Sequence, residues 1–377
     1  SYHQLVQLKK DIAHLMEVMH NIDVVRKRHE LVAAQARGGL DRNRVEAALE
    51  TDHLDEAQIV FCTLSTAGSE IMMRNLRRPW DLVLIDEAAQ SVELSTLVAL
   101  QHHVSRCILI GDPQQLPATV QINSAAARLY QQSLFERLAR AGHKVVMLST
   151  QYRMHPAISS FPSRHFYEGR LQDGDNVSSP AWQRPFHQER RFQPLLFYDV
   201  AADTRYKTGT RSSYNPVEAQ FVVTLLKQFV QNWTPPGSNA ERKLSVGVIT
   251  PYSAQRGHLD RLLKDAMREA KRESGGGPGG WSGLTVKVAT VDGFQGGEKD
   301  IIVFSCVRAG GKRGIGFLAD IRRMNVGLTR ARHACWVVGD SRALVTNVHW
   351  RGFLDHCKKT GSYVAPEKAK AVVLGLF

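Results

Sequence analysis

No run of apolar residues in this 377-residue chain approaches the roughly 20 that a membrane-spanning helix needs; one of the longest, Ile301–Ile302–Val303–Phe304, has four members. A helical membrane span is therefore not what organises the chain. Cysteine is sparse: Cys62, Cys107, Cys306, Cys335 and Cys357 are scattered, with no CxxC pair and no His–Cys cluster at zinc spacing. They read as reduced structural residues of an intracellular protein, three of them within or at the ends of expected strands. No signal peptide opens the sequence, and no internal repeat at periods of about 20–50 residues is evident. The first residue is Ser1 rather than Met, which points to a trimmed or partial chain. Acidic residues are also in short supply, 36 Asp and Glu against 49 Lys and Arg, for a net charge of +13. That excess favours a polyanionic partner, most simply nucleic acid, over a merely soluble basic protein. A charged fraction of 23% alongside 43% apolar residues is that of a folded chain. The length leaves room for two domains with real cores.

What is there begins with Leu82–Ile85, four apolar residues that run straight into Asp86–Glu87. Such a run reads as a strand buried on both faces of a parallel sheet, which presents its chemistry at the carboxyl end. Two carboxylates there suit a nucleotide site, Asp86 as an oxygen ligand for Mg²⁺ and Glu87 to orient or deprotonate an attacking water. A solvated acidic turn is the alternative. Upstream, Ile59–Cys62 reads as a strand entering the hydroxyl-rich loop Thr63–Ser69, which can approach phosphates or be an ordinary turn. Downstream, a helix near Glu93–Gln101 precedes a strand at Arg106–Ile110, ending in Gly111–Asp112–Pro113–Gln114–Gln115–Leu116–Pro117. The glycine and two prolines fix a rigid turn. With neighbouring strands, that turn puts Gln115 beside Asp86 and Glu87, where an amide can touch a phosphate oxygen and the attacking water together.

The rest alternates strand and helix. Residues 3–35 carry Leu5, Leu8, Ile12, Leu15, Met19 and Ile22 as a heptad seam; Gly38–Gly39 breaks it, and Asp41 caps a second helix to about Ala57. A helix near Gln132–Ala141 and a strand at Lys144–Leu148 lead into Gln151–Tyr152–Arg153–Met154–His155–Pro156 and a helix through Phe166. Residues 170–213 read as irregular around one strand, Leu195–Val200. Then come a helix over Asn215–Val230, a strand at Val246–Ile249 running into Thr250–Pro251–Tyr252, a basic helix Gln255–Lys271 and a glycine-rich loop. Strands at Val286–Val291 and Ile301–Cys306 flank Asp292–Glu298. A helix is expected over Arg322–Arg332, a closing strand at Trp336–Gly339 and a last helix at Val348–Lys359.

Taken together these segments resemble superfamily 1 helicases of the 5′→3′ branch (the DNA2/NAM7-like group), most nearly the senataxin type. Asp86–Glu87–Ala88–Ala89–Gln90 is similar to motif II and Gly111–Leu116 to motif III; Gln151–Pro156 resembles the family's hexapeptide at the entry of the second lobe. Val291–Glu298 is similar to motif V and Arg323–Arg332 to motif VI. The resemblance implies an α/β fold of two RecA-like parallel-sheet lobes, the first incomplete, with an N-terminal helical stalk: 1–57 stalk, 58–143 first lobe, 144–377 second lobe. It implies ATP and Mg²⁺ as cofactors. Asp86 would hold the metal, Glu87 handle the water, Gln115 couple phosphate to nucleic acid, and Arg153 and Arg330 reach the γ-phosphate. Tyr152 would stack on adenine and Glu298 hold the ribose, with Gln90 and Gly296 also at the nucleotide. Thr63, Ser65, Thr250, Pro251, Tyr252 and Thr290 would touch a single strand of RNA or DNA. Movement 5′→3′ along that strand and a nuclear, otherwise cytoplasmic, location follow from the same likeness.

One departure stands out. The family's P-loop, GxxxxGK[ST], is absent: the Gly311–Lys312 pair has Cys306 where the leading glycine belongs and Arg313 where Ser or Thr should follow. The expectation is a chain that starts midway through the first lobe, inactive alone as an ATPase but part of an active helicase. A catalytically inactive nucleic-acid-binding scaffold and a translocase that does not unwind are the competing readings.

Overall fold

The computed structural model describes residues 26, 29, 33, 36, 42–74, 80–120, 129–201, 205–206, 212–233, 243–273, 280–309 and 314–373. The heptad seam and the capping Asp41 lie outside these residues, as does most of the glycine-rich loop. The chain divides into two compact units, residues 1–112 with 117–143 and residues 113–116 with 144–377.

In the first unit the principal elements are α1 (Arg42–Glu56), β1 (Leu82–Ile85), α2 (Glu93–Leu100), β2 (Arg106–Leu109) and α3 (Leu134–Arg140). β1 and β2 pair in parallel, with Leu82 opposite Arg106 and Ile85 opposite Leu109. The expectation that β1 is buried on both faces is not met: Ile85 is buried, but Leu82 and Leu84 are 43% and 55% exposed. Among the described residues this sheet has two strands, so each has one neighbour. The apolar run at Ile59–Cys62 forms no strand, and Phe61 is 93% exposed. Hydrophobic sequence alone does not make a strand; the backbone N–H and C=O groups need a partner edge. A small core of Ala67, Ile85, Ala88 and Ala99 holds α2 and the loop after β1 together.

The second unit is built on a six-stranded sheet. Its elements are α4 (Pro156–Phe166), β3 (Leu195–Asp199), α5 (Pro216–Asn232), β4 (Leu244–Thr250), α6 (Ser253–Glu273), β5 (Leu284–Thr290), β6 (Lys299–Ser305), α7 (Ile321–Leu328), β7 (Ala331–Gly339), α8 (Val348–Lys359) and β8 (Tyr363–Val364). The strand order is β8-β3-β7-β6-β4-β5, and every pairing is parallel. Alternate residues of β6 serve opposite faces. Ile302 and Phe304 join Ile158, Phe161, Met324 and Trp350 on one side; Ile301 and Val303 join Phe221, Phe229, Leu259 and Leu263 on the other. Each large side chain buried this way contributes about 1.5–3 kcal/mol, so the strongest element here is the one covered by helices on both sides. This is the parallel α/β architecture expected of a RecA-like lobe.

Three expected elements differ. Lys144–Leu148 is not a strand, and Val146 and Leu148 are 75% and 81% exposed. Residues 170–213 hold, besides β3, two short strand pairings and several turns of helix. The helix expected over Arg322–Arg332 stops at Leu328, and Ala331 already belongs to β7. The cause is local: the Thr329 hydroxyl donates back to the Asn325 carbonyl at 2.7 Å, closing the last turn. Arg330 and Arg332 therefore stand at a helix–strand junction, not along a basic helical face.

Candidate functional site: an acidic strand end and an arginine cluster

In the first unit the acidic pair sits where β1 ends. Glu87 adopts a left-handed conformation, with φ of 52°, and its N–H donates to Asp86 Oδ1 at 2.9 Å. The next N–H, of Ala88, reaches across to the Ile110 carbonyl at 2.7 Å, tying the turn to the end of β2. Gly111 lies so close that a Cβ would stand 2.7 Å from the Ala89 nitrogen. Both carboxylates are exposed, and Gln90 Nε2 donates to Glu87 Oε2 at 2.5 Å. A carboxylate fixed at a strand's carboxyl end and open to water is what a well-hydrated Mg²⁺ takes as a ligand; the donor set fits the ion. Thr63, exposed, caps a short helix by accepting from the Thr66 N–H at 3.2 Å, and Ser65 is exposed beside it.

In the second unit the hexapeptide is clamped by Gln151. Its Oε1 accepts from the N–H groups of Arg153 and Met154 at 2.9 and 2.7 Å. Its Nε2 donates to the Met154 carbonyl and Asp173. His155 then caps α4 through Nδ1 and donates its N–H to the Arg332 carbonyl at 2.8 Å. Between these anchors Tyr152 projects outward, 64% exposed. Its ring lies against Gly174 so tightly that a Cβ there would meet it at 2.4 Å. Arg153 is held by Glu298, Nε to Oε2 at 2.7 Å, and by the Thr329 carbonyl at 3.1 Å. Arg332 Nη2 donates to the other carboxylate oxygen, so Glu298 bridges two guanidinium groups. Burial raises the Glu298 pKa, but the hydrogen bond and charge of Arg153, then the charge of Arg332, outweigh it and hold the carboxyl below its ordinary value. Gly296 supplies the left-handed turn (φ of 72°) that brings Glu298 to the start of β6.

Gln115 falls in the second unit with the segment 113–116. There its Oε1 accepts from Arg330 Nη2 at 2.5 Å, although 215 residues separate the two. Arg330 is 2% exposed and also donates to the Val326 carbonyl. Asn325 holds the same segment by donating to the Gln114 carbonyl at 3.0 Å. Gln115, Arg330, Arg153 and Glu298 thus belong to one hydrogen-bonded neighbourhood at the amino ends of β6 and β7.

Of the residues expected at nucleic acid, Thr250 and Thr290 lie at the opposite, carboxyl ends of the neighbouring strands β4 and β5. Thr250 and Thr290 are register partners across β4 and β5. The Thr290 hydroxyl accepts from the Gly293 N–H at 3.2 Å. The Thr250 hydroxyl is buried with no partner among the described residues. Pro251 and Tyr252 are buried, so Tyr252 works from beneath the surface. Sequence alone assigns no role to Gln151, Asn325 and Arg332, although Gln151 opens the hexapeptide and the other two stand in the motif VI-like segment. The helix expected over Arg322–Arg332 hid the turn that brings Arg332 to Glu298.

Comparison with known proteins decides the family. The AAA domain family matches residues 130–342, more than half of the chain, and a second AAA domain family matches residues 7–123. This chain belongs to the AAA-domain helicases of superfamily 1B. Helicase sen1 of Schizosaccharomyces pombe is 40% identical over 303 residues, covering 80% of this chain and 17% of that protein. A probable helicase of Dictyostelium discoideum is 38% identical over 354 residues, covering 93% of this chain and 34% of its own. The ATP-dependent helicase upf1 of S. pombe is 35% identical over 321 residues, covering 84% and 32%. This superfamily 1B chain therefore spans about two fifths or less of the relatives it matches. No helix among its described residues is long and apolar enough to cross a membrane.

Proposed function

We propose that this chain is the motor portion of an ATP-dependent helicase or translocase that moves 5′→3′ along a single strand of RNA or DNA. The observation that carries the reading is the hydrogen bond from Arg330 to Gln115, which joins the motif VI-like and motif III-like segments. An arginine that stays charged and can bind two oxygens at once suits a γ-phosphate. A glutamine beside it registers whether that phosphate is present. On this reading Asp86 binds Mg²⁺ through its carboxylate, and Glu87 orients the attacking water and takes its proton. When bound, Mg²⁺ and ATP supply charge neutralisation and the phosphoryl group that water attacks. Arg153 and Arg330 offset the charge gathering on the equatorial oxygens. Tyr152, exposed over Gly174, offers its ring to adenine; Gln90 and Gly296 complete the nucleotide side. Thr63, Ser65 and Thr290 face the sugar–phosphate backbone, contacts that any sequence provides, while Thr250 is buried beside Thr290 and shapes the loop from beneath. Residues 58–143, apart from 113–116, correspond to the first lobe and 144–377 to the second; the stalk expected over 1–57 lies mostly outside the described residues. A nuclear or cytoplasmic location goes with the same reading.

Glu298 has a nearer task than holding ribose: its two oxygens already orient Arg153 and Arg332. Without GxxxxGK[ST], these 377 residues bind nucleic acid and do not by themselves turn over ATP, which is where the scaffold reading keeps its force.

The test uses the full-length protein that contains this chain, assayed for ATP hydrolysis with and without single-stranded RNA. Strand-stimulated turnover is expected, falling about 10³-fold or more in Arg330→Ala and Arg153→Ala. Displacement is expected on 5′-tailed and not 3′-tailed duplexes; turnover without displacement selects the translocase. Glu298→Ala should lose activity equally on ATP and 2′,3′-dideoxy-ATP if the carboxylate acts through the arginines; a loss confined to ATP would restore the ribose role. Absence of strand-stimulated hydrolysis would sink the motor reading.

A further inference from the structure

Between β6 and α7 the chain makes a turn that ends in an exposed aromatic. Phe317 is 52% exposed in a protein whose other phenylalanines are, among the described residues, nearly all buried; the exceptions are Phe61, exposed, and Phe135, half-buried. Exposing a large apolar ring forfeits part of the 1.5–3 kcal/mol that burying it would contribute, and here the ring is held in place with care. Gly314 and Gly316 both take left-handed conformations, with φ of 61° and 58°. A Cβ on Gly316 would stand 2.6 Å from the Tyr252 hydroxyl, so the turn needs glycine there for space as well as for φ. The Tyr252 hydroxyl is the fastening point. It donates to the Ile315 carbonyl at 3.3 Å and accepts from the Phe317 N–H at 3.3 Å and from Arg308 Nε at 2.8 Å. One donor and two acceptor sites are all that a phenol has, and all are used.

Charge lies behind the ring. The Arg323 guanidinium sits over Phe317, 5.2 Å from its centroid, and Arg308 sits over Tyr252 at the same distance. The Tyr252 and Phe317 rings are 5.5 Å apart and tilted by 51°. Arg323 is fixed in turn by Asp292 at 3.2 Å and Asp320 at 3.0 Å. Asp292 lies two residues beyond Thr290, and Tyr252 two residues beyond Thr250. Phe317 is therefore anchored to both loops that carry the paired threonines.

We infer that Phe317 is a stacking platform for one base of a single-stranded nucleic acid, with Tyr252, Arg308 and Arg323 as its positioning residues. The inference rests on the nucleic-acid reading above and extends it from backbone contacts to a base. A flat, half-exposed ring with a cation against it stacks on any base, because every base has a π face. Thr290 and the platform divide the work: hydroxyl to phosphate and sugar, ring to base. This also gives Tyr252 a role that suits its burial. It need not touch the strand, because it holds the residue that does.

The experiment measures binding of a 5′-labelled single-stranded oligonucleotide, and of a strand of equal length with abasic sites throughout, to the nucleotide-free full-length protein. Phe317→Ala should weaken the intact strand about 5- to 150-fold, the range that base–aromatic stacking covers, and leave the abasic strand unchanged. Phe317→Trp should retain affinity, and its indole emission should be quenched by the intact strand but not by the abasic one. That readout does not depend on the alanine variant keeping its loop. Equal losses on both strands, or no loss on either, would overturn the platform and leave the nucleic-acid reading standing. A parent protein that binds neither strand would overturn both.

Discussion

The two units of this chain use the same kind of sequence and obtain different results from it. Leu82–Ile85 in the first and Val246–Ile249 in the second are both short runs rich in branched apolar residues, and both form parallel strands. Yet Leu82 and Leu84 stand about half exposed, while Val246, Val248 and Ile249 are 0% exposed. The difference lies in the neighbours. β4 has β6 on one side and β5 on the other, with α5 and α6 packed over one face. β1 pairs with β2 alone among the described residues. A strand's hydrophobicity is thus a statement about the sheet it was selected for, and the second unit supplies that sheet in full.

The largest expected effect of this contrast is on hydrogen exchange. Local opening free energies run from near zero at poorly packed edges up to the global stability of the core. The amides of β6 and β7, in the middle of the six-stranded sheet, should exchange at least about three decades more slowly than those of β1 and β2. Mass spectrometry of peptic peptides over Lys299–Ser305 and Leu82–Ile85 measures this directly. Equal protection in both would mean that the first unit is stabilised by something other than the packing described here.

A second, smaller effect concerns pH, and it belongs to the second unit. Burial, then the charges of His155 and His333, pushes the His187 pKa down from 6.5 to about 3. Burial, then Arg184, pushes His333 down to about 4. Both rings stay neutral in the fold and take protons readily once unfolded. Their contribution to stability is therefore present above 6.5 and lost as pH falls towards 4 and 3. Glu218 runs the other way. It is 0% exposed, and burial pushes its pKa up from 4.5 to about 8, although Ser305 and Val307 donate to it. The contribution of that group is present below 4.5 and lost as pH rises towards 8. Between pH 5 and 6.5 the two sets oppose each other, the histidine pair worth on the order of 3 kcal/mol and Glu218 on the order of 2 kcal/mol. Urea unfolding at pH 5 and 6.5 should show a shallow slope in the parent chain. His187→Gln with His333→Gln should leave stability rising towards acid, and Glu218→Gln should leave it falling. Slopes that do not separate would remove the histidine–carboxylate opposition from the second unit.

How much was legible beforehand follows the same line. The parallel sheet of the second unit, its strand-to-helix order and the ranges of α5, α6 and α8 were readable because most of its strands carry their own buried runs and two of these helices carry their own caps. Asn215 and Asn347 accept from the first N–H groups of α5 and α8. The strands expected at Ile59–Cys62 and Lys144–Leu148 do not form, because pairing depends on a partner edge that a single apolar run does not specify. The arginine cluster was half legible. Arg153 and Arg330 stood out by motif, but the bridge through Glu298 to Arg332 depends on where α7 stops. That stop is set by one threonine hydroxyl. Phe317 gave no signal at all, since exposure cannot be read from an isolated aromatic between glycines.

The smallest effect asks whether the first unit's helices are secured locally, as its weak sheet would require. α3 opens with Ser133, which is 0% exposed and whose hydroxyl accepts from the Glu136 N–H at 3.1 Å. Removing such a cap costs about 1 kcal/mol. In α8 the corresponding group is Asn347, whose Oδ1 accepts from the His349 and Trp350 N–H groups at 3.0 and 3.2 Å. Ser133→Ala and Asn347→Ala should therefore cost similar amounts of local helix stability, but they should be felt differently. In α8, Trp350, Phe353 and Leu354 are 0–1% exposed, so packing holds the helix after its cap is lost. In α3, Leu134 is the one buried residue, so losing the cap should raise exchange along the whole of Leu134–Arg140 by about fivefold. A Ser133→Ala variant whose α3 exchanges no faster than the parent would show that tertiary packing, not the cap, secures the first unit's helices, and the contrast between the two units would narrow to their sheets.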